Sequence, residues 1–556
     1  MKIHRLSSAM LFLFAMFVVS ASLAQTKSII LGRPTDKTIT ASILFNQKVE
    51  FYLEYGVKSG VYTNQTTSVF NVANTPNEVD ITGLTANTRY YYRMQYRLLT
   101  ATSFSTTPEY TFMTQRSTGS AFTFVVEADE HLYDKKGVRS MYQLTLQNEL
   151  KDSPDFMLSL GDIFGDDHTP TTTTSADMDA LHKDYLQYLT QICHSVPFFV
   201  CLGNHEGENG YYLKQNPPNN IAVYGTKWRK FYYPNPFPNT FYSGNMVSEG
   251  YEMNLPENYF AWTWGDALFV VLDVYRHVDV NEKPQNWDWT LGKTQFDWFK
   301  KTLENSKAKY KFVFAHHTRG QGRGGISTAK SFEWGGIGTK GVNDFEANRP
   351  GWGGVPIHQL MVKNGVNIFF QGHDHLYAKE ELDGVVYQEV PMPSDSTYQI
   401  GMLANADAYT DVTREGTGHI RVSVSPECLT VDFVRAYLPA DVKDGKHQNR
   451  EIGYSYSIGK CAVITGIEET QEVTQFVKVS PNPTHDVLLV EVLTAGSFDR
   501  KVEILSSQGQ VMKTLFIRRG EKRVDFDVSD FSSGVYFVKC TDELGTSSTT
   551  KVIIQK

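Results

Sequence analysis

Three regimes of hydrophobic patterning divide the chain. Over residues 27–116 apolar and polar positions alternate, in stretches such as VEFYLEYG and PEYTFMTQ, with turn residues between them. A period of two marks strands with one buried face, so this region is expected to be a small β-sandwich. From about Ala121 the pattern changes to continuous apolar runs: FTFVVEAD, DFMLSL, PFFVCL, ALFVVLD, KFVFA and VNIFFQ. Between two of them Met178, Leu181, Tyr185, Leu189 and Ile192 recur at helical spacing. Apolar strands without polar alternation are covered on both faces, which predicts an α/β domain over 121–438. Residues 439–475 are polar and poorly patterned, and read as a linker. Alternation returns over 476–556, a second small all-β sandwich. The expected fold class is therefore multidomain, an α/β core between two small all-β sandwiches.

Length agrees with this division, because 556 residues exceed the ~250–300 that one core fills. A net charge of −8 and a pI near 6.0, with no basic stripe, argue against a nucleic-acid scaffold role and against a dedicated nuclease. At the N-terminus Lys2 and Arg5 precede an apolar run from Met10 to Val19, then Ser22-Leu23-Ala24. That order predicts an export signal over 1–24. The run is shorter than the ~20 residues that span a bilayer, and no later run is longer. The mature chain is thus expected to have no transmembrane segment. Five cysteines (Cys193, Cys201, Cys428, Cys461 and Cys540) form no CxxC pair and are odd in number. They read as small buried hydrophobes, with room for one bridge whose pairing the spacing does not select.

The α/β region ends its apolar runs in polar clusters. FTFVVEADEH closes with Asp129 and His131, and DFMLSLGD with Asp162. PFFVCLGNHE closes with Asn204 and His205, KFVFAHH with His316 and His317, and NIFFQGHDH with His373 and His375. Ligands of α/β sheets bind where the carboxyl ends of strands converge. One histidine at a strand end is ordinarily structural. Five clusters of carboxylate, amide and imidazole are not, because each buried polar group costs free energy unless it is paired or bound to metal. Oxygen and imidazole donors without thiolate fit Zn, Mn or Fe. Two divalent cations against two aspartates leave a surplus of positive charge suited to hydroxide and phosphate.

The ordered set D-x-H, G-D, G-N-H-E, H and G-H-x-H, across residues 121–380, resembles the calcineurin-like metallophosphoesterases. The resemblance implies a β-sandwich flanked by helices and a metal-dependent phosphoric ester hydrolase. It implies that Asp129, His131, Asp162 and His375 hold one transition-metal ion. Asp162 would bridge to a second, held also by Asn204, His316 and His373. His205 would bind phosphate or protonate the leaving group, and a metal-bridging hydroxide would attack phosphorus. Between the two histidines of KFVFAHH the family pattern selects His316.

ENYFAWTWGDALFVVLD and LGKTQFDWFKKTL resemble segments of the purple acid phosphatase-like branch. Two departures separate the chain from that branch: Gly165 stands where the branch has a tyrosine, and His131 stands where it has none. A colourless di-Zn, di-Mn or mixed site is expected in place of a ferric-phenolate one. LTANTRYYYRM resembles the corner of fibronectin type III-like modules. SPNP, SSQGQ and DFSSGVYFVK resemble the C-terminal sorting domain of type IX secretion substrates. That likeness implies export to the medium or surface of a Gram-negative Bacteroidetes-like bacterium, with residues 476–556 engaging the secretion machinery.

Arg319 and Arg323, in the glycine-rich loop Thr318–Gly341, are candidate substrate contacts, since guanidinium forks suit phosphate oxygens. Asp166, Asp167 and His168 are read as loop residues, and Glu130 and Glu206 as groups behind the site or on its surface. Alternation along an extended chain would aim His373 and His375 alike and turn Asp374 away. The expected activity is phosphomonoester hydrolysis on a phosphorylated small molecule, with phosphodiesterase or nucleotidase activity as the alternative and a non-catalytic surface binding protein as a more distant one.

Overall fold

The computed structural model describes residues 27–133, 136–163, 169–318, 323–400, 406–443, 445–461, 477–492, 499–506, 510–541 and 547–556. The expected export signal and Asp166, Asp167 and His168 lie outside these. Two compact units divide the chain, Met1–Cys461 and Ala462–Lys556.

The larger unit begins with the expected sandwich. One sheet pairs Lys27–Gly32, Ile39–Phe45 and Asn77–Ile81; the other is built on Val49–Gly56 and Arg89–Leu98. Ile43, Phe51, Leu53, Ile81, Tyr92 and Phe112 fill the space between them. The corner read from LTANTRY is present, with the Thr85 N–H donating to the Tyr90 hydroxyl at 2.9 Å. This module docks on the following domain through polar contacts. Tyr92 donates to the His194 carbonyl (2.5 Å), Ser42 to the Tyr232 carbonyl (3.0 Å) and Tyr242 to the Pro34 carbonyl (2.5 Å).

The α/β domain has two mixed sheets, face to face. In the first, Phe122–Glu127, Met157–Ser159 and Phe198–Val200 run parallel, and Gly418–Val424, Cys428–Arg435 and Ile452–Gly459 extend the sheet antiparallel. In the second, Ala267–Val271, Tyr310–Phe314, Ile368–Gln371 and Val385–Glu389 run parallel at the centre. The inner faces meet in an aromatic core that includes Phe124, Phe156, Phe269, Phe314, Phe370 and Phe433. Helices Arg139–Lys151 and Ser175–Leu189 cover one outer face, and Gly292–Asn305 and Ile357–Lys363 the other. Hence the continuous apolar runs: each central strand buries one face on the other sheet and one on a helix.

Two expectations need correction. The linker expected over 439–475 contains strand Ile452–Gly459, an edge strand of the first sheet. Its Tyr454, Tyr456 and Ile458 pack on the core while alternate serines and glycines face outward, so the segment reads as polar. Cys428 and Cys461, among the five read mainly as buried hydrophobes, form a disulfide that closes this strand pair. Cys193, Cys201 and Cys540 are buried and free.

The C-terminal unit is a sandwich by itself, with sheets built on Val477–Ser480, Val487–Val492 and Arg523–Asp527, and on Val511–Ile517, Arg500–Ser506, Gly534–Thr541 and Ser547–Ile554. Among the described residues no helix is long and apolar enough to cross a membrane.

Candidate metal centre

Both sheets of the α/β domain deliver polar residues from the same ends of their parallel strands. Asp129 and His131 follow Phe122–Glu127, Asp162 follows Met157–Ser159, and Asn204 and His205 follow Phe198–Val200. His316 follows Tyr310–Phe314, and His373 and His375 follow Ile368–Gln371. The strand-end clusters thus converge on one point.

The backbone there is unusual. Asp129 (φ 61°), His131 (44°), Asp162 (57°), His373 (77°) and His375 (62°) all occupy the left-handed region. Non-glycine residues pay roughly 1–3 kcal/mol each for such conformations, which persist only where the surroundings over-determine them. The expected alternation along an extended chain is therefore not what orients His373 and His375. A left-handed turn does so, and it sends Asp374 into the protein, away from the cluster. Glycines permit the close approach: a Cβ on Gly372 would sit 2.4 Å from Asp129 Oδ2, and one on Gly203 2.3 Å from Asp162 Oδ1.

The side chains meet at contact distance. His131 Nε2 and His375 Nε2 are 3.0 Å apart, with Asp129 Oδ1 at 3.7 Å from the first and 3.5 Å from the second. Asp162 Oδ2 lies 3.1 Å from His316 Nε2, 3.8 Å from His205 Nε2 and 3.9 Å from His131 Nε2. Three sets of ligand atoms lie close enough to share a cation: Asp129, His131 and His375; His131, Asp162 and His205; and Asp162, His316 and His373. Asp162 thus adjoins both wings. His316 Nδ1 lies 2.9 Å from the Leu160 carbonyl, which fixes the tautomer that leaves Nε2 for the cluster.

His317 is also buried, its ring 4.8 Å from that of His373, while His316 is the one against Asp162. Asn204 Oδ1 accepts from the Tyr275 hydroxyl at 3.2 Å, a contact no motif announced. Asn204, His205 and His373 are half-buried, whereas Asp129, Asp162, His131, His316 and His375 are buried. The site is therefore closed on one side and open on the other.

The charges are strongly coupled. Burial alone would raise Asp162, but His316 and His205 hold it well below the usual carboxylate range. Burial would likewise raise Asp129, which His316, His131 and His375 bring down. His316 moves the other way: burial would depress it, and Asp162 and Asp129 lift it to about 9. Glu206 is buried behind the site rather than on its surface. Its carboxylate accepts the N–H groups of Asp162 (3.0 Å), Ile163 (2.7 Å) and Gly203, and so ties two motifs together. Burial and the Asp162 charge push Glu206 up to about 7. Glu130 is buried as well, and burial with the neighbouring Glu127 lifts it well above the ordinary range.

Of the two arginines expected at substrate, Arg319 lies outside the described residues. Arg323 is turned inward, its Nη1 donating to the His373 carbonyl (2.5 Å) and to Asp374 Oδ1 (3.2 Å).

The donor set fits divalent cations. Among the described residues Asp129 Oδ1 is buried without a hydrogen-bond partner, 3.8 Å from His316 Nε2, and no thiolate is among the donors. An orphaned buried oxygen beside imidazole donors suits a first-row transition metal.

Comparison with known proteins accords with this geometry. Residues 122–377 match the model of the calcineurin-like phosphoesterases, and residues 478–555 that of the secretion system C-terminal sorting domain. No curated protein matches the chain. The solved structure of PhoD superposes with a TM-score of 0.54 at 16% identity, over 78% of this chain and 90% of that one. Purple acid phosphatase PPD1 from yellow lupin (Lupinus luteus) seeds superposes with a TM-score of 0.52 at 16% identity, over 78% and 74%. At such identity the likeness is one of fold.

Fold and site together define a phosphoric ester hydrolase that uses divalent metal. The chain carries a calcineurin-like phosphoesterase domain joined to a sorting domain of the type IX secretion route, and is accordingly secreted or held at the cell surface.

Proposed function

We propose that the chain is an exported phosphomonoesterase with two divalent cations, led to the membrane by the export signal over 1–24. One cation is held by Asp129, His131, Asp162 and His375, the other by Asp162, Asn204, His316 and His373. The supporting observation is the position of Asp162, whose Oδ2 adjoins His316 on one wing and His131 on the other. Bound there, the cations supply Lewis acidity and an activated water at neutral pH.

The chain's own groups do the rest. The His205 N–H donates to Asp162 Oδ1 at 2.8 Å, which fixes the carboxylate that both wings share. The His205 side chain is 14% exposed while that of Asp162 is 1% exposed, so the imidazole stands between the cluster and solvent. A leaving alcohol departs on that side, within reach of His205 Nε2 as proton donor. Asn204 and His373 are likewise half-buried, so the second cation they would hold is the one nearer solvent. The buried wing excludes water, which strengthens every charge interaction in it. Two carboxylates leave the paired cations with surplus positive charge, which favours the dianion of a monoester over the monoanion of a diester.

The test is hydrolysis by the full chain of an aryl monophosphate against a bis-aryl phosphodiester and a nucleotide. Monoester turnover should dominate; faster diester or nucleotide turnover would replace this reading with the phosphodiesterase or nucleotidase one. Metal analysis should find about two ions per chain, without the intense visible band of a ferric-phenolate.

A further inference from the structure

The acid at the centre of GHDH is not a ligand, yet it is fully buried and heavily bonded. Asp374 Oδ2 accepts from the Tyr409 hydroxyl (2.7 Å) and the Gly324 N–H (2.7 Å), and Oδ1 accepts from Arg323 Nη1 (3.2 Å). The same Arg323 nitrogen donates to the His373 carbonyl at 2.5 Å. The Asp374 N–H donates to Glu389 Oε1 at 3.0 Å, and the His373 N–H to Asp129 Oδ2 at 2.8 Å. Three consecutive backbone groups of the turn are therefore each held by a different segment.

A second carboxylate fixes the segments that supply these donors. Glu380 accepts from the N–H of Ile326 (2.9 Å) and of Thr410 (2.8 Å), so Arg323 and Tyr409 are delivered from backbone tied to the strand after GHDH. The left-handed conformations of His373 and His375, uncommon for any residue with a side chain, need such restraint. Of the two imidazoles, His373 takes the direct grip of Arg323 on its own carbonyl.

We propose that Arg323 and Tyr409 are positioning residues that act through Asp374 to aim His373, and thereby set the affinity of the second cation. Arg323 thus serves the turn. The inference rests on the ligand assignment proposed above, and goes beyond it by assigning two residues outside all five motifs. Partners behind metal ligands ordinarily shift metal affinity by about 10–100-fold when removed.

The experiment is stepwise calorimetric titration of Zn2+ into the metal-stripped full chain. Arg323→Ala and Tyr409→Phe should each weaken one of the two binding steps by about 10–100-fold and leave the other within about twofold. Arg323→Lys, which keeps charge and a donor, should recover part of the loss. His373→Ala is the control for the ligand assignment and should weaken the same step. If His373→Ala changes neither step, the assignment itself fails. If it weakens one step while Arg323→Ala and Tyr409→Phe weaken none, or weaken both equally, the positioning role is overturned. Tyr409→Phe removes a single hydroxyl, which keeps the test valid should Arg323→Ala fold poorly; thermal melts of the stripped variants report folding.

Discussion

Two buried clusters in the same domain pair carboxylates with imidazoles, and they are solved in opposite ways. At Asp152, which caps helix Arg139–Lys151, both oxygens are taken by protein donors, one imidazole and two guanidiniums. Oδ2 accepts from His419 Nε2 at 2.7 Å, and Oδ1 from Arg421 Nη1 at 2.9 Å and from Arg450. At Asp129 and Asp162 the ion-pair partners among the described residues are histidines, with no arginine or lysine, and Asp129 Oδ1 keeps no hydrogen bond among them. The ligand backbone is strained at five positions, whereas Asp152 sits in ordinary right-handed helical geometry. A cluster that only stabilises the fold balances its charge internally. One that leaves the balancing cation to be supplied from outside is built for chemistry.

The largest effect that tests this contrast is at Asp162. Asp162→Asn keeps an acceptor for the His205 N–H but removes the charge shared by both wings. Activity on an aryl monophosphate should fall by more than about 10³-fold, since losing one preorganised electrostatic group alone costs about 10²–10³. The variant should melt as the metal-stripped parent does. Unchanged turnover would place the chemistry elsewhere. Chelation should act on this cluster alone: the parent loses activity and the stabilisation that bound ligand gives, and added Zn2+ or Mn2+ restores both.

Next in size is His205→Ala. It should lower kcat by about 10²-fold or more, as expected for loss of a general acid, while metal content stays at the parent level. The defect should be larger for alkyl than for nitrophenyl phosphates, because a good leaving group needs no proton. Equal defects on both would make His205 a phosphate-binding group instead.

The two clusters also differ in how far the sequence discloses them. The cluster of candidate ligands was legible because an apolar strand that stops at GD, GNH or GHDH has little structural use for those residues, and the structure brings five such stops together in one domain. What the motifs could not convey is backbone conformation: His373 and His375 are aimed by φ values of 77° and 62°, not by strand alternation. Long-range partners were equally hidden. Nothing local marks Tyr275 as the partner of Asn204, or Asp374 as the partner of Arg323. The Asp152 cluster joins residues about 300 positions apart through Arg450, at the entry to the strand that reads as a linker. An edge strand with one solvent face carries a weak signal, and cysteine spacing does not choose Cys428 with Cys461.

The smallest effect belongs to the self-balanced cluster, and it concerns stability alone. Burial would raise Asp152, but His419, Arg421 and Arg450 lower it from 3.8 to about 2. A carboxyl depressed in the folded state adds stability that is fully present above its unfolded pKa and is lost as pH falls through the folded one. The window here runs from about pH 4 down to about pH 2, and the size is about 2 kcal/mol by linkage. Asp152→Asn should therefore lose about 2 kcal/mol in denaturant unfolding at pH 7, with the gap from the parent closing across that acid window. Its kcat and metal content should match the parent's. A fall in kcat comparable to that of Asp162→Asn would erase the distinction, since it would mean that the internally balanced cluster also serves the reaction.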